Sequence, residues 1–298
     1  MENTFNFNTV SQYNDFNNHE TLHPMVSVLD FSKAVQRNGG RMTFGIYAIF
    51  LKEVECGDLK YGREVYDYQD RTLVFLAPGQ VIEVDSNGSY YQPKGQGLIF
   101  HQDLILGTSL AKKMDQYHFF SYHSNEALHL STREKKLVLD CFSKIEYELQ
   151  QSIDRHSKEI MVSNIELFLN YCIRFYDRQF ITREHINKGI LAKFEELLNS
   201  YFNSARPKEK GLPSVSYFAE QLHLSANYFG DLIKKDTGKS AKEYVQTKII
   251  EIAKEKIYDR NRSLSEISYD LGFKYPQHFT RLFKQKTGFT PNEYRGLN

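Results

Sequence analysis

The feature that most constrains this 298-residue sequence is an internal repeat near its C-terminal end. A shift of 50 residues superposes FGDLIKKDTGKSAKEY (Phe229 to Tyr244) on FTRLFKQKTGFTPNEY (Phe279 to Tyr294), and eight of the sixteen positions match in kind. In both copies apolar residues recur at i, i+3 and i+4, the spacing of the buried face of a short helix. The repeat therefore predicts one structural unit that occurs twice.

Each copy also carries the signals that end one helix and begin the next. Gly238 and Gly288 suit the left-handed conformation that ends a helix. The capping boxes that begin the following helix are Ser240 with Glu243 and Thr290 with Glu293. Another short helix precedes each copy, in SVSYFAEQLHL and in SLSEISYDLGF. The pattern of two short helices joined by a tight turn predicts two helix-turn-helix units.

The charge of the chain is concentrated in this region. Residues 211–298 hold 14 Lys and Arg against 10 Asp and Glu, whereas the whole chain has a net charge of only +1. The segment between the two units predicts a continuous helix of some 17 residues, which is about 25 Å long. Such a helix suits two modules that enter neighbouring major grooves of DNA, about 34 Å apart.

The last 90 or so residues resemble the DNA-binding domain of AraC/XylS-type bacterial transcription regulators, through EISYDLGF, HFTRLFKQKTG and TPNEYR. In this sequence Tyr275-Pro276 stands where the family usually has an Asp or Ser cap. The resemblance implies a sequence-specific transcription regulator with double-stranded DNA and RNA polymerase as partners. The residues that it assigns to base edges and phosphates are Asn227, Tyr228, Lys234, Lys235, Gln277, His278, Thr280, Arg281 and Lys284. Arg281 suits the O6 and N7 acceptors of guanine, and the lysines suit phosphates.

The N-terminal part has a different texture. Short apolar runs rich in Val, Ile, Tyr and Phe alternate with turn signals, which predicts an antiparallel barrel or sandwich. Regulators of the family commonly carry a cupin-like sensor at this place. The predicted fold class is therefore α+β and multidomain: an N-terminal antiparallel β-barrel (cupin-like) followed by helices, and an all-α C-terminal domain with two helix-turn-helix units joined by a linker helix. The expected domains are a flexible N-terminal arm (1–20), the cupin-like sensor (21–130), a helical connector (131–205) and the DNA-binding domain (206–298).

Candidate ligand residues in the barrel are aromatic walls and one cation: Tyr47, Arg63, Tyr66 and Tyr68. They favour a polar or anionic small-molecule effector. A well-packed barrel without any ligand, as in an orphan regulator, stays open as the alternative. A metal-binding cupin needs an H-x-H pair and a later Glu, and the corresponding stretch has no histidine, so we expect neither a metal nor a cofactor.

Three further expectations concern the class of protein. The sequence shows no phosphate-binding Gly-rich loop and no nucleophile elbow, so we expect no enzyme; the rival is a cupin enzyme whose helical tail is an interaction module. The start lacks the charged region of a secretory signal and no apolar run spans a bilayer, which favours the cytoplasm and no membrane. Apolar stripes predict three helices between residues 131 and 202, the third from about Ile186 to Tyr201, and these stripes favour a homodimer, or else they pack on their own barrel.

Overall fold

The computed structural model describes residues 4–52, 58–61, 64–65, 71–85, 90–123, 126–182 and 184–296. The contacts divide the chain into two compact units, residues 1–182 and residues 183–298. The first unit is rich in strands and the second consists of helices, as the predicted fold class requires. Among the described residues no helix has the length and apolar character that a membrane crossing needs.

In the described residues of the first unit, ten strands form two five-stranded sheets. Their bounds are Thr4–Phe7 (β1), Val26–Asp30 (β2), Gly40–Phe44 (β3), Tyr47–Lys52 (β4), Asp58–Tyr61 (β5), Glu64–Val65 (β6), Thr72–Leu76 (β7), Val81–Asp85 (β8), Gly95–Phe100 (β9) and Leu128–His129 (β10). The first sheet has the order β1-β3-β8-β5-β6 and the second has the order β10-β7-β4-β9-β2. Among the residues that the structure describes, the strands are thus arranged in two facing sheets rather than in one closed barrel.

Alternation along the strands decides which side chains lie between the sheets. In β4, Ala48 and Phe50 point into the space between the sheets, and Ile49 and Leu51 point to the other side. The core between the sheets consists of Phe7, Val10, Tyr13, Leu29, Phe31, Met42, Phe44, Ile46, Ala48, Phe50, Val74, Leu76, Ile82, Val84 and Ile99. β3 pairs antiparallel with β8, and β4 pairs antiparallel with both β7 and β9.

The start of the chain differs from the flexible arm that the Asn-rich sequence predicts. Residues of β1 pair in parallel with β3, and helix α1 (Val10–Phe16) follows with a capping box of Thr9 and Gln12. The physical reason is the spacing of apolar residues: Phe7, Val10 and Tyr13 are at most 4% exposed because they pack in the core between the sheets. The arm is therefore part of the sheet domain.

Helices cover the outer face of the second sheet. Beyond α1, the α-helices described in the first unit are Gln102–Ile105 (α2), Ser109–Lys113 (α3), Thr132–Leu149 (α4) and Ser157–Thr182 (α5), with β10 between α3 and α4. Phe75 on β7 contacts Phe119 and Tyr176, with ring centroids 4.4 and 6.3 Å apart respectively. Both faces of the second sheet are therefore buried, which explains why β7 reads as a continuous apolar run.

The two apolar stripes of α4 and α5 lie inside this unit. Their buried members include Val138, Cys141, Phe142 and Ile145 on α4 and Ile165, Phe168, Leu169 and Cys172 on α5. The rings of Phe142 and Phe168 are 5.2 Å apart. Of the two alternatives for these stripes, the structure shows packing within the unit. Pairing of two copies would need other surfaces and stays a prediction.

The second unit consists of eight helices in the described residues. They are Glu184–Phe202 (α6), Arg206–Lys210 (α7), Val215–Gln221 (α8), Ala226–Thr237 (α9), Ala241–Ile257 (α10), Leu264–Asp270 (α11), Pro276–Thr287 (α12) and Pro291–Arg295 (α13). α8 and α9 form the first helix-turn-helix unit, and α11 and α12 form the second. α10 joins them and has the 17 residues that the sequence predicts.

Candidate nucleic-acid interface

Helix α9 is the second helix of the first helix-turn-helix unit. It begins at Ser225, whose hydroxyl accepts the backbone N–H of Tyr228, and it ends at Gly238 in the left-handed conformation. Phe229, Leu232 and Ile233 are fully buried and anchor the helix. Side chains on the opposite side are exposed, among them the predicted site residues Asn227, Lys234 and Lys235.

Tyr228 differs from the other predicted residues of α9. Its side chain is only 5% exposed, because it lies next to Phe229 on the inner side of the helix. A ring at this depth offers no surface to a base edge. We therefore leave Tyr228 out of the candidate interface.

Helix α12 is the corresponding helix of the second helix-turn-helix unit. Pro276 occupies its first turn, and Gly288 ends it in the left-handed conformation. Phe279 and Phe283 are buried, with ring centroids 5.7 Å apart. The opposite side exposes all five predicted site residues of this helix, which are Gln277, His278, Thr280, Arg281 and Lys284.

The two helices differ in charge. α9 carries Lys234 and Lys235 but also two aspartates. α12 carries three cationic side chains and no acidic one; they are Arg281, Lys284 and Lys286. An anionic partner such as a phosphate backbone is therefore attracted more strongly to α12 than to α9.

The linker helix is fixed at its start by the predicted capping box. The hydroxyl of Ser240 accepts the backbone N–H of Glu243, and the Glu243 carboxylate accepts the backbone N–H of Ser240. The Ser240 hydroxyl also donates to this carboxylate, and the two hydrogen bonds that the carboxylate accepts, first from the backbone and then from the hydroxyl of Ser240, lower the pKa of Glu243. The same arrangement begins α13 at Thr290 and Glu293.

Comparison with known proteins agrees with this geometry. The family model described as "Helix-turn-helix domain" matches residues 218–296, from within α8 to the end of α13, and so includes both second helices and the linker helix. The C-terminal domain is an AraC-type helix-turn-helix domain. The chain is 37% identical over 82 residues to the uncharacterized HTH-type transcriptional regulator YobQ of Bacillus subtilis, a match that covers 28% of this chain and 34% of YobQ.

Two further comparisons concern parts of the chain. The uncharacterized HTH-type transcriptional regulator YfiF of Bacillus subtilis is 27% identical over 163 residues, or 55% of this chain and 48% of YfiF. The chain thus spans between a third and a half of the length of these two relatives. The solved C-terminal domain of the response regulator yesN from Fusobacterium nucleatum is 27% identical over 34% of this chain and 96% of that domain, with a TM-score of 0.30.

The AraC-type domain has a core residue that lies upstream of the predicted boundary at residue 206. Phe194 on α6 is fully buried and contacts Phe218, Phe229 and Tyr244, with ring centroids 5.1, 5.0 and 5.5 Å apart. Burial and a hydrogen bond to Glu195 raise the pKa of Tyr244 to about 12. The apolar period of α6 was visible in the sequence, but nothing in that period showed which domain the helix completes.

A polar cluster holds the second helix-turn-helix unit against α7. Asp270 forms ion pairs with Arg262 and with Lys208, whose ammonium nitrogen lies 2.8 Å from the Asp270 carboxylate. Arg295 donates from Nε to the carbonyl of Ile257 (2.7 Å) and from Nη2 to the carbonyl of Arg262 (3.0 Å). The arginine of TPNEYR therefore satisfies a backbone carbonyl at the end of α10 from within the protein.

The ligand candidates of the first unit are only partly described. Tyr47 stacks on Phe100 and meets Phe120 edge-on, with centroid distances of 4.9 and 5.1 Å. Its ring thus lies on the outer face of the second sheet, which corrects its predicted place inside the barrel: strand alternation puts Ala48, not Tyr47, toward the first sheet. Arg63, Tyr66 and Tyr68 lie outside the described residues.

A cavity of about 50 Å³ lies between the two sheets. Its polar lining includes Arg37, Lys52, Lys94 and two tyrosines, Tyr13 and Tyr91, and its apolar walls are Phe31, Met42, Phe50, Ile82, Val84 and Pro93. Three cations and no carboxylate are thus found among the described lining residues. No group of three His, Cys, Asp or Glu side chains arranged to hold a metal occurs within the described ranges.

Arg37 is the most constrained of these cations. Its Nη1 donates to Oδ1 of Asn17 (3.0 Å), and its guanidinium lies 4.3 Å from the ring centroid of Phe16. Its Nε is buried and has no hydrogen-bond partner in the structure. Burial raises the pKa of the Tyr13 phenol, and the charge of Arg37 opposes that rise, so the phenol stays protonated and remains a donor.

Proposed function

We propose that this chain is a sequence-specific DNA-binding transcription regulator. The observation that carries the proposal is the pair of helices α9 and α12, each anchored by buried apolar residues and each with polar side chains exposed on the opposite side. Second helices of this kind enter the major groove in helix-turn-helix proteins. A linker helix of about 25 Å, estimated from 1.5 Å per residue, favours contact with two successive grooves on one side of the duplex.

The direct test is a retardation assay on DNA selected from random sequence with the full-length protein. We expect selective binding whose affinity falls steeply with salt, because phosphate contacts release counterions. A folded protein that enriches no sequence would contradict the proposal.

Arg281 and Lys284 lie three residues apart on the exposed side of α12 and separate base reading from phosphate binding. Arg281→Ala should cost about 1–3 kcal/mol on the selected site and much less on random DNA, because a bidentate guanine contact carries sequence information. Lys284→Ala should weaken binding to both DNAs and reduce the salt slope by about one. Titrations of both variants at several salt concentrations measure these quantities.

Thermal melting is the control for this pair. Both side chains are exposed, so both variants should stay within about 0.5 kcal/mol of wild-type stability. An Arg281→Ala variant that loses equal affinity for both DNAs would make Arg281 a phosphate contact and move base reading to Gln277 and His278.

We also propose that a small anionic molecule controls the regulator from the cavity between the two sheets. The buried Nε of Arg37 has no hydrogen-bond partner, and Lys52 and Lys94 line the same cavity; both observations support this finer statement. The cavity volume of about 50 Å³ suits a single carboxylate-sized group with a short apolar body. An orphan regulator without ligand and a cupin enzyme with a helical tail are the competing functions.

A panel of short-chain carboxylates and their neutral amides tests ligand control. At 100 times its Kd a bound carboxylate should stabilise the protein by about 2.7 kcal/mol, and the matching amide should have little effect. Arg37→Met should lose this stabilisation, whereas Arg41→Met, which removes an exposed arginine of β3, should keep it. Equal stabilisation by acid and amide would contradict an anionic ligand.

The remaining partners stay predictions. Contact with RNA polymerase rests on the family resemblance of the C-terminal domain. A homodimer would have to use exposed apolar side chains, such as Tyr147 on α4 and Leu167 on α5, which are 67% and 40% exposed. Sedimentation of the full-length protein with and without DNA would measure the number of copies in the complex.

A further inference from the structure

The start of α12 breaks a rule that the neighbouring helices follow. From α8 to α13, a stretch that the structure describes throughout, five of the six helices begin with a Ser or Thr whose side chain accepts a backbone N–H. The exception is α12, where Tyr275 occupies the cap position and makes no such bond. The helix start depends instead on Pro276, whose ring fixes the helical backbone angle.

The ring of Tyr275 is held at the surface by its neighbours. Its side chain is 46% exposed, although a tyrosine normally buries most of its ring. His278 meets the ring edge-on at a centroid distance of 5.5 Å, and the Lys274 ammonium lies 5.6 Å from the ring centroid. The three side chains form a small cluster, the Tyr275 cluster (Lys274, Tyr275 and His278), beside the exposed side of α12.

A stabilising Ser cap is thus replaced by an exposed ring next to the candidate base-reading side chains. Departures from local folding rules concentrate at functional sites. A flat apolar ring at the first turn of a recognition helix is suited to one element of the major groove, the C5-methyl group of thymine, which separates T from C without a hydrogen bond. A cationic Lys274 beside the ring suits the adjacent phosphate.

We propose that Tyr275 is a specificity-determining residue that contacts a thymine methyl group at one position of the DNA site. The inference rests on the proposed DNA-binding function and adds a base preference at the start of α12. Tyr275 supplies the apolar surface, His278 holds the ring in place from one turn further along, and Lys274 binds the phosphate. The contact requires the ring and does not require the phenolic hydroxyl.

The experiment replaces each thymine of the selected DNA site, one at a time, by uracil, which lacks only the methyl group. With the full-length wild-type protein, one replacement in the part of the DNA site that α12 contacts should weaken binding about fourfold. This factor corresponds to the burial of one methyl-sized group. Tyr275→Phe should keep this effect. Tyr275→Ser should abolish it, so that thymine and uracil bind equally at that position.

Tyr275→Ser also separates recognition from folding, because serine restores a side-chain cap and should raise the melting temperature. A more stable variant that has lost thymine discrimination supports the inference. An unchanged thymine-to-uracil profile in Tyr275→Ser, or no methyl effect in the wild type, overturns it. If Tyr275→Ser weakens binding to the specific site and to random DNA equally, the inference is also overturned, and the ring is a contact to the DNA backbone. If the wild type selects no DNA at all, the proposed function itself fails.

Discussion

Phe194→Ala should remove about 3–5 kcal/mol from the free energy of unfolding of the C-terminal unit, the usual cost of truncating a buried phenylalanine. The side chain is fully buried and its ring contacts Phe218, Phe229 and Tyr244. Loss of the ring leaves a cavity between α6 and the first helix-turn-helix unit. Since whole domains are stable by only about 5–15 kcal/mol, this variant should be partly unfolded at moderate temperature.

Chemical denaturation of the fragment 183–298 measures this effect, and Phe289→Ala is the matched control. Phe289 is 44% exposed, so the same substitution there should cost clearly less, about 1–2 kcal/mol. A second fragment, 206–298, lacks α6 entirely and should not unfold cooperatively. If that shorter fragment is as stable as the longer one, α6 is dispensable and the domain begins at residue 206.

Gly272→Ala should be the most damaging single-methyl change in the helix-turn-helix units. Gly272 has φ +93°, and a Cβ at this position would lie 2.8 Å from the carbonyl carbon and oxygen of Gly211. A left-handed backbone costs a non-glycine residue about 1–2 kcal/mol. The clash with the backbone of Gly211 adds about 1–3 kcal/mol, the range for overpacking.

Gly288→Ala separates the two contributions. Gly288 ends α12 with φ +83°, but a Cβ there meets no atom within 4 Å. This variant should therefore lose only the backbone cost, about 1–2 kcal/mol. Denaturation of the two variants side by side gives the cost of the clash as the difference. Equal losses would show that the contact with Gly211 gives way freely.

Phe194→Ala and Gly272→Ala both test how the two candidate recognition helices, α9 and α12, are held in place. Phe194 fixes α9 through the core of the first helix-turn-helix unit. Gly272, which lies close to Gly211 at the end of α7, and the ion pair of Asp270 with Lys208 on α7 fix the second helix-turn-helix unit against α7. The spacing of α9 and α12 therefore depends on residues outside the repeat, and we expect Phe194→Ala to weaken specific DNA binding although it changes no exposed side chain of either helix.

Much of the C-terminal domain was readable from the sequence. Local signals such as the capping box of Ser240 and Glu243, the left-handed Gly288 and the 17-residue linker helix are all present as predicted. They were readable because a helix start or stop depends on hydrogen bonds within a few residues. The exposed side of α12 follows in the same way from the helical period, since Phe279 and Phe283 must face inward.

The sequence alone did not determine the N-terminal arrangement. The opening segment has the composition of a loose arm, and only the groove between the sheets, where Phe7, Val10 and Tyr13 are buried, turns it into a strand and a helix. Tyr47 was expected inside the barrel, and alternation along β4 places it on the outer face. Tyr228 follows Asn227 on α9, yet it is buried where Asn227 is exposed.

The sequence by itself thus determined the two helix-turn-helix units, their joining helix and the polar residues exposed on α12, because these depend on spacing within one or two turns. Only the tertiary structure decided that α6 belongs to the second unit, that Arg37 comes to the cavity between the sheets, and that Gly211 touches Gly272. Those facts depend on contacts between residues far apart along the chain. Such contacts are set by the packing of whole elements, which no local pattern specifies.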